Sequence, residues 1–111
     1  MQSQPNTYFQ IFSDSNIIPG MQRHGFHIRF ENGHTISAMF GTNLYCSCPD
    51  LLDTNLSGVS ALCADVEVAI IDPRGEFVKF KSTGDDVKGR VTPAEFVEIV
   101  SWVSKIEKEK N

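Results

Sequence analysis

Arg29, Arg74, Lys79, Lys81 and Arg90 are the side chains whose type and placement suit the binding of an anion, with His27, Tyr45 and Phe77 as the rings that accompany them. A guanidinium donates through a planar fork that matches phosphate oxygens, and an aromatic ring offers a face on which a base stacks. A group of this kind holds a small phosphorylated ligand. The plainer alternative is that these are ordinary solvated positions on strands and turns.

A second set is Cys46, Cys48 and Cys63 with His24, His27 and His34. Thiolate and imidazole are preferred zinc ligands, but structural zinc sites use Cys pairs two to four residues apart. Here a single residue separates Cys46 from Cys48, and no second pair exists. Buried structural thiols fit better. A nucleophilic cysteine needs a base placed beside it in space, and nothing in the spacing selects one of the three histidines. Hydrolase and transferase signatures are absent, and Gly20, Gly25 and Gly33 read as turn residues, not as a phosphate loop. The expectation is a non-enzymatic binding protein with no catalytic residues, metal or cofactor.

The elements that must position these groups begin with a hairpin. Phe26–Phe30 and Thr35–Phe40 alternate in polarity on either side of Asn32-Gly33, a dipeptide suited to a type I′ turn. Phe26, Ile28, Phe30, Ile36, Ala38 and Phe40 share the inner face, leaving His27 and Arg29 outside. A second hairpin joins Asp65–Ile71 to Glu76–Lys81 through Asp72-Pro73-Arg74-Gly75, a type I turn. Its outer face carries Glu67, Ala69, Ile71, Phe77, Lys79 and Lys81, and its inner face Val66, Val68, Ile70, Val78 and Phe80. Residues 85–91 supply a short fifth strand.

Thr92-Pro93-Ala94-Glu95 starts a helix three times over: a capping Thr, Pro at the first helical position, and Glu three residues after the cap. It is expected to run to about Lys108. Phe96, Ile99, Val100, Val103 and Ile106 form its core-facing stripe, and Val97 and Trp102 widen that arc beyond what one sheet covers. Trp102 either tucks under another segment of the chain or joins subunits. Before the first hairpin, residues 1–22 form an N-terminal arm whose residues 7–12 are expected to be an edge strand or to lie on a neighbour. Residues 23–111 make a single α+β domain: an antiparallel sheet of four to five strands with one C-terminal helix packed on it. The segment 41–64 reads as a packed loop of unusual length.

Composition narrows the partners. The chain has 111 residues, 41% of them hydrophobic and 22% charged, as in an ordinary globular domain. A net charge of −4, from 14 acidic and 10 basic side chains, argues against binding a nucleic-acid polymer. No Lys or Arg lies between Gly41 and Pro73, whereas Asp50, Asp53, Asp65, Glu67 and Asp72 do. The first 22 residues hold no Lys or Arg and no unbroken apolar block. Neither a secretory signal nor a membrane span is therefore expected, and three unpaired cysteines agree with a cytoplasmic setting.

The run Asn32-Gly33-His34-Thr35-Ile36-Ser37-Ala38-Met39-Phe40-Gly41, followed by Asn43-Leu44-Tyr45-Cys46-Ser47, resembles small proteins of tailed phages in which an Asn-Gly hairpin leads into a Tyr-Cys segment. Ala64–Ala69 and the Thr92–Phe96 helix start resemble the second half of the same family, so the likeness spans most of residues 25–106. Leu44, Cys48 and the longer arm depart from the pattern. The resemblance implies a phage accessory protein in a bacterial host's cytoplasm and carries no catalytic residues with it. In size and general plan the chain is similar to Thoeris anti-defence sponges, which are oligomers that hold nucleotide-derived immune signals. The resulting expectation is a sequestering protein for a small phosphorylated nucleotide, assembled as a homo-oligomer through Trp102 and the N-terminal arm. The alternative is a protein-interaction inhibitor of a host enzyme that uses the acidic loop and the C-terminal helix.

Overall fold

Strands that follow one another in the chain pair as neighbours, β2 and β3 through the tight Asn32-Gly33 turn, and the result is a meander. The structure, a computed structural model, describes residues 6–14, 23–41 and 62–107. They contain β1 (Tyr8–Asp14), β2 (Arg23–Arg29), β3 (Thr35–Gly41), β4 (Val66–Ile71), β5 (Val87–Val91) and α1 (Pro93–Ser104). The strands lie in the order β1-β2-β3-β4-β5, and each adjacent pair is antiparallel. The expected α+β fold is what forms, and the edge strand expected at 7–12 is β1.

Register follows the alternation. Phe26 pairs with Ala38 and Ala38 with Val68, while Ile28 pairs with Ile36 and Ile36 with Ile70. Those residues share one face, and α1 closes it by bringing Ile99 and Val103 against Ile36, Val68, Ile70 and Val91. Phe26 meets Phe96 edge to face at 5.9 Å. Removing these side chains from water is the main stabilising term of the domain.

The first turn differs from the expected type I′ form. Gly33 N–H donates to the Phe30 carbonyl and Phe30 N–H to the His34 carbonyl, each at 2.9 Å. This is a three-residue loop built on a type I turn with a bulge at Gly33, whose φ is +88°. In this loop the positive φ falls on Gly33 and not on Asn32, whose side chain reaches the helix. Its Nδ2 donates to the carbonyls of Val103 and Ile106, both at 2.8 Å, and its Oδ1 accepts from His34 N–H at 2.9 Å. A hairpin turn thus caps the C-terminal end of α1.

The second turn repeats this geometry. Asp72 N–H donates to the Glu76 carbonyl at 2.8 Å and Gly75 N–H to the Asp72 carbonyl at 2.9 Å, with φ +87° at Gly75. The two turns touch: a Cβ added to Gly33 would fall 2.9 Å from Pro73 Cγ. Only glycine satisfies both the φ and that approach.

Two expectations are corrected. The return strand Glu76–Lys81 reduces to a single bridge between Ile71 and Phe77 and a 2.9 Å bond from Val78 N–H to the Ile70 carbonyl. Beyond it the chain leaves the ladder so that Phe80, 3% exposed, can bury beside Trp102 at 6.4 Å between ring centroids. Gly84, at φ +74°, turns the excursion back, and β5 takes the place beside β4.

The helix also stops at Ser104, short of Lys108. Lys105 and Ile106 N–H groups bond three residues back at 3.2 Å, and Asn32 captures the carbonyls that would have continued the ladder. At its start Thr92 Oγ1 accepts from Glu95 N–H at 3.3 Å, while the Glu95 carboxylate turns to Lys88 Nζ at 2.9 Å.

Candidate functional site

The face of the sheet away from α1 is read directly from the register. Tyr8 pairs with Arg29, Arg29 with Thr35, Thr35 with Ile71, and Ile71 with Phe77. These five residues form one row across the sheet, at the end where both turns lie. The next row is Gln10, His27, Ser37, Ala69 and Val87. Paired residues of an antiparallel ladder point to the same side, and strands lie about 4.8 Å apart. Tyr8 and Phe77 therefore stand roughly 19 Å apart, with Arg29 beside Tyr8.

Thr35 and Ser37 are buried, at 6% and 7% exposure, so β3 is the floor of this face. The accessible groups stand on its flanks. Phe77 is 55% exposed, and Tyr8, His27 and Arg29 are half-buried. Arg29 Nη2 would lie 3.8 Å from a Cβ at Gly33, which places the guanidinium against the first turn. Among the described residues no carboxylate pairs with it.

The other cations are engaged or lie elsewhere. Arg74 follows Pro73 in the adjacent turn and approaches Asp72 at 3.7 Å. Lys79, two residues beyond Phe77, lies 3.5 Å from Asp86. Lys81 is not on the outer face: it lines a groove of about 320 Å³ on the helix side with Phe80, Lys88, Glu95, Glu98 and Trp102. Once the chain leaves the ladder after Val78, strand alternation no longer dictates which way Lys81 points. Arg90, at φ +54°, precedes the Val91–Val66 pair, at the opposite end of β4 from Arg29. That is roughly 17 Å along the strands. Tyr45, Cys46 and Cys48 lie outside the described residues.

The structure thus brings Arg29, His27 and Phe77 to one face, with Arg74 at its rim, and leaves Lys81 and Arg90 apart. Burial holds His27 below the usual imidazole range, so at neutral pH it offers a ring and a hydrogen bond but no charge. Arg29 is then the permanent cation of these two rows. Tyr8 is the member that sequence reasoning missed. The sequence places an edge strand at residues 7–12 but fixes no register for it against β2.

Of the cysteine and histidine set, Cys63, His24, His27 and His34 are described. Burial, aided by the charge of Asp65, pushes the Cys63 thiol up and away from the reactive thiolate. His34 is buried opposite Asp72, beside the capped end of α1. Among the described residues no three His, Cys, Asp or Glu side chains converge as metal ligands. No helix among them is long and apolar enough to cross a membrane.

Comparison with protein-family models, with curated proteins and with solved structures gives no match. The outer face of the sheet is therefore read on its own chemistry.

Proposed function

We propose that this chain is a phage-encoded, non-enzymatic binding protein that sequesters a small phosphorylated nucleotide signal on the outer face of its sheet. The observation that carries the ligand class is the row Tyr8, Arg29, Thr35, Ile71 and Phe77. It sets one guanidinium without a described carboxylate beside one ring and across a hydroxyl floor from another. Arg29 takes the phosphate, Tyr8 or Phe77 stacks on the base, and Thr35 and Ser37 line the floor. What supports a phage source is the resemblance of residues 25–106.

A single cation also explains why the ligand is small. Polymer binding draws its affinity from many phosphate contacts, and among the described residues of the Tyr8 and Gln10 rows Arg29 is the one cation. Melting temperature should rise with a member of a panel of cyclic mononucleotides, cyclic dinucleotides and ADP-ribose derivatives. A ligand at one hundred times its Kd adds about 2.7 kcal/mol to stability. In a domain of this size that is a shift of roughly 10 °C or more. Arg29→Ala should remove the shift, and Lys81→Ala, on the other side of the sheet, should keep it. A panel without any shift, or a shift that survives Arg29→Ala, refutes the proposal.

A further inference from the structure

The two edges of the sheet are built differently. β5 carries Lys88 and Arg90, a register irregularity opposite Val66–Val68, and a residue with positive φ. Charge, bulge and twist are the usual means by which an edge strand is made unfit for further pairing. β1 has none of them. Its sequence is Tyr-Phe-Gln-Ile-Phe-Ser-Asp, without Lys, Arg, Pro or Gly, and its one charge is Asp14 at the end. Among the described residues it pairs with β2 alone, so its outer ladder of N–H and C=O groups faces outward.

Side chains on β1 point the same way. Phe9 pairs with Ile28 and Ile11 with Phe26, so both stand on the helix side of the sheet. Yet they are 77% and 85% exposed, because α1 packs over β3, β4 and β5 and closes no further than Phe26. Two large apolar residues side by side on a flat, uncharged edge are what a sheet normally hides.

We infer that β1 is a homodimer interface, in which β1 of one copy adds antiparallel to β1 of a second copy and makes a continuous ten-stranded sheet. An open ladder calls for a strand as its occupant. The choice of a second copy rests on self-complementarity. A two-fold axis at Gln10, perpendicular to the sheet, sets Phe9 of each copy opposite Ile11 of the other and keeps all four on the helix side. Apolar cross-strand pairs of this kind are the unit of sheet stabilisation. Charge does not oppose the match, since the paired centre is neutral although the chain as a whole carries −4. The two-fold makes the interface isologous, so it closes at two copies and leaves β5 as both outer edges. A contact of one strand pair and four side chains falls near the low end of specific interfaces, about 1,200 Å².

Light scattering on the full chain at 100 µM should give twice the 12.4 kDa chain mass. Ile11→Lys and Phe9→Lys place a charge on the edge at exposed positions, and each should return the mass to one chain with an unchanged circular dichroism spectrum. Val97→Lys, on the exposed side of α1, should leave the dimer intact. A wild-type monomer at 100 µM overturns the inference, and so does a dimer that resists both β1 substitutions or is broken by Val97→Lys.

Discussion

Asn32 does more than its place in an Asn-Gly turn requires. Its amide donates to two carbonyls at the end of α1, more than seventy residues away in the chain, and its oxygen accepts from the neighbouring His34 N–H, three bonds in all at 8% exposure. Asn32→Ala leaves those backbone groups without partners, and a buried unsatisfied group costs about 1–3 kcal/mol. Urea denaturation should show a loss of about 2–4 kcal/mol, with Asn32→Asp at least as damaging because it sets a carboxylate against the negative end of the helix. Asp72 gives the clearest pH signature. Backbone N–H groups of Glu76 and Arg74 donate to its Oδ1, with the Glu76 bond the larger influence, and hold its pKa below the usual carboxylate value. A carboxylate depressed in the folded state stabilises above its unfolded pKa, about 3.9, and loses that contribution as pH falls through the folded value. Glu95, depressed chiefly by Lys88, acts in the same direction. Asp72→Asn should therefore lower stability at pH 7 and flatten its decline below pH 4, measured as melting temperature against pH.

At the scale of elements, the departures from strand and helix periodicity trace to long-range contacts. Val78 and Phe80 were placed on the inner face by alternation, and both do pack on the core. The ladder around Phe80 nevertheless dissolves, because burying a ring beside Trp102 gains more than the hydrogen bonds of one edge strand, which water replaces. Phe80→Ala should cost about 3–5 kcal/mol, the range for emptying a buried aromatic site. Hydrogen exchange of that variant should be faster at the Lys88 and Gly89 amides, as β5 loosens from β4. The start of α1 was legible because Thr92, Pro93 and Glu95 act within one turn. Its end was not, since Asn32 decides it from the other half of the chain. Trp102, one of two residues that widened the apolar arc of the helix, is accounted for by Phe80 within the same chain, whereas Val97 stays exposed.

Across the whole molecule, function depends on which residues share a face. The cations read from the sequence as one set divide into Arg29 with Arg74 at one end of the outer face, Lys81 on the helix side, and Arg90 at the far end. The ligand-dependent melting shift and its loss in Arg29→Ala test that division directly. Sequence alone determined the antiparallel sheet, the C-terminal helix and its cap, the positions of the two turns at Gly33 and Gly75, and the inner residues of β2, β3 and β4. These depend on period, turn chemistry and capping, which act over a few neighbouring residues. Tertiary structure alone decided the register of β1, the bulged form of the first turn, the early end of α1 and the exit of Phe80 from the ladder. Each of these is set by partners far away in the chain, where the cost of closing a loop is repaid only by packing that no local pattern records.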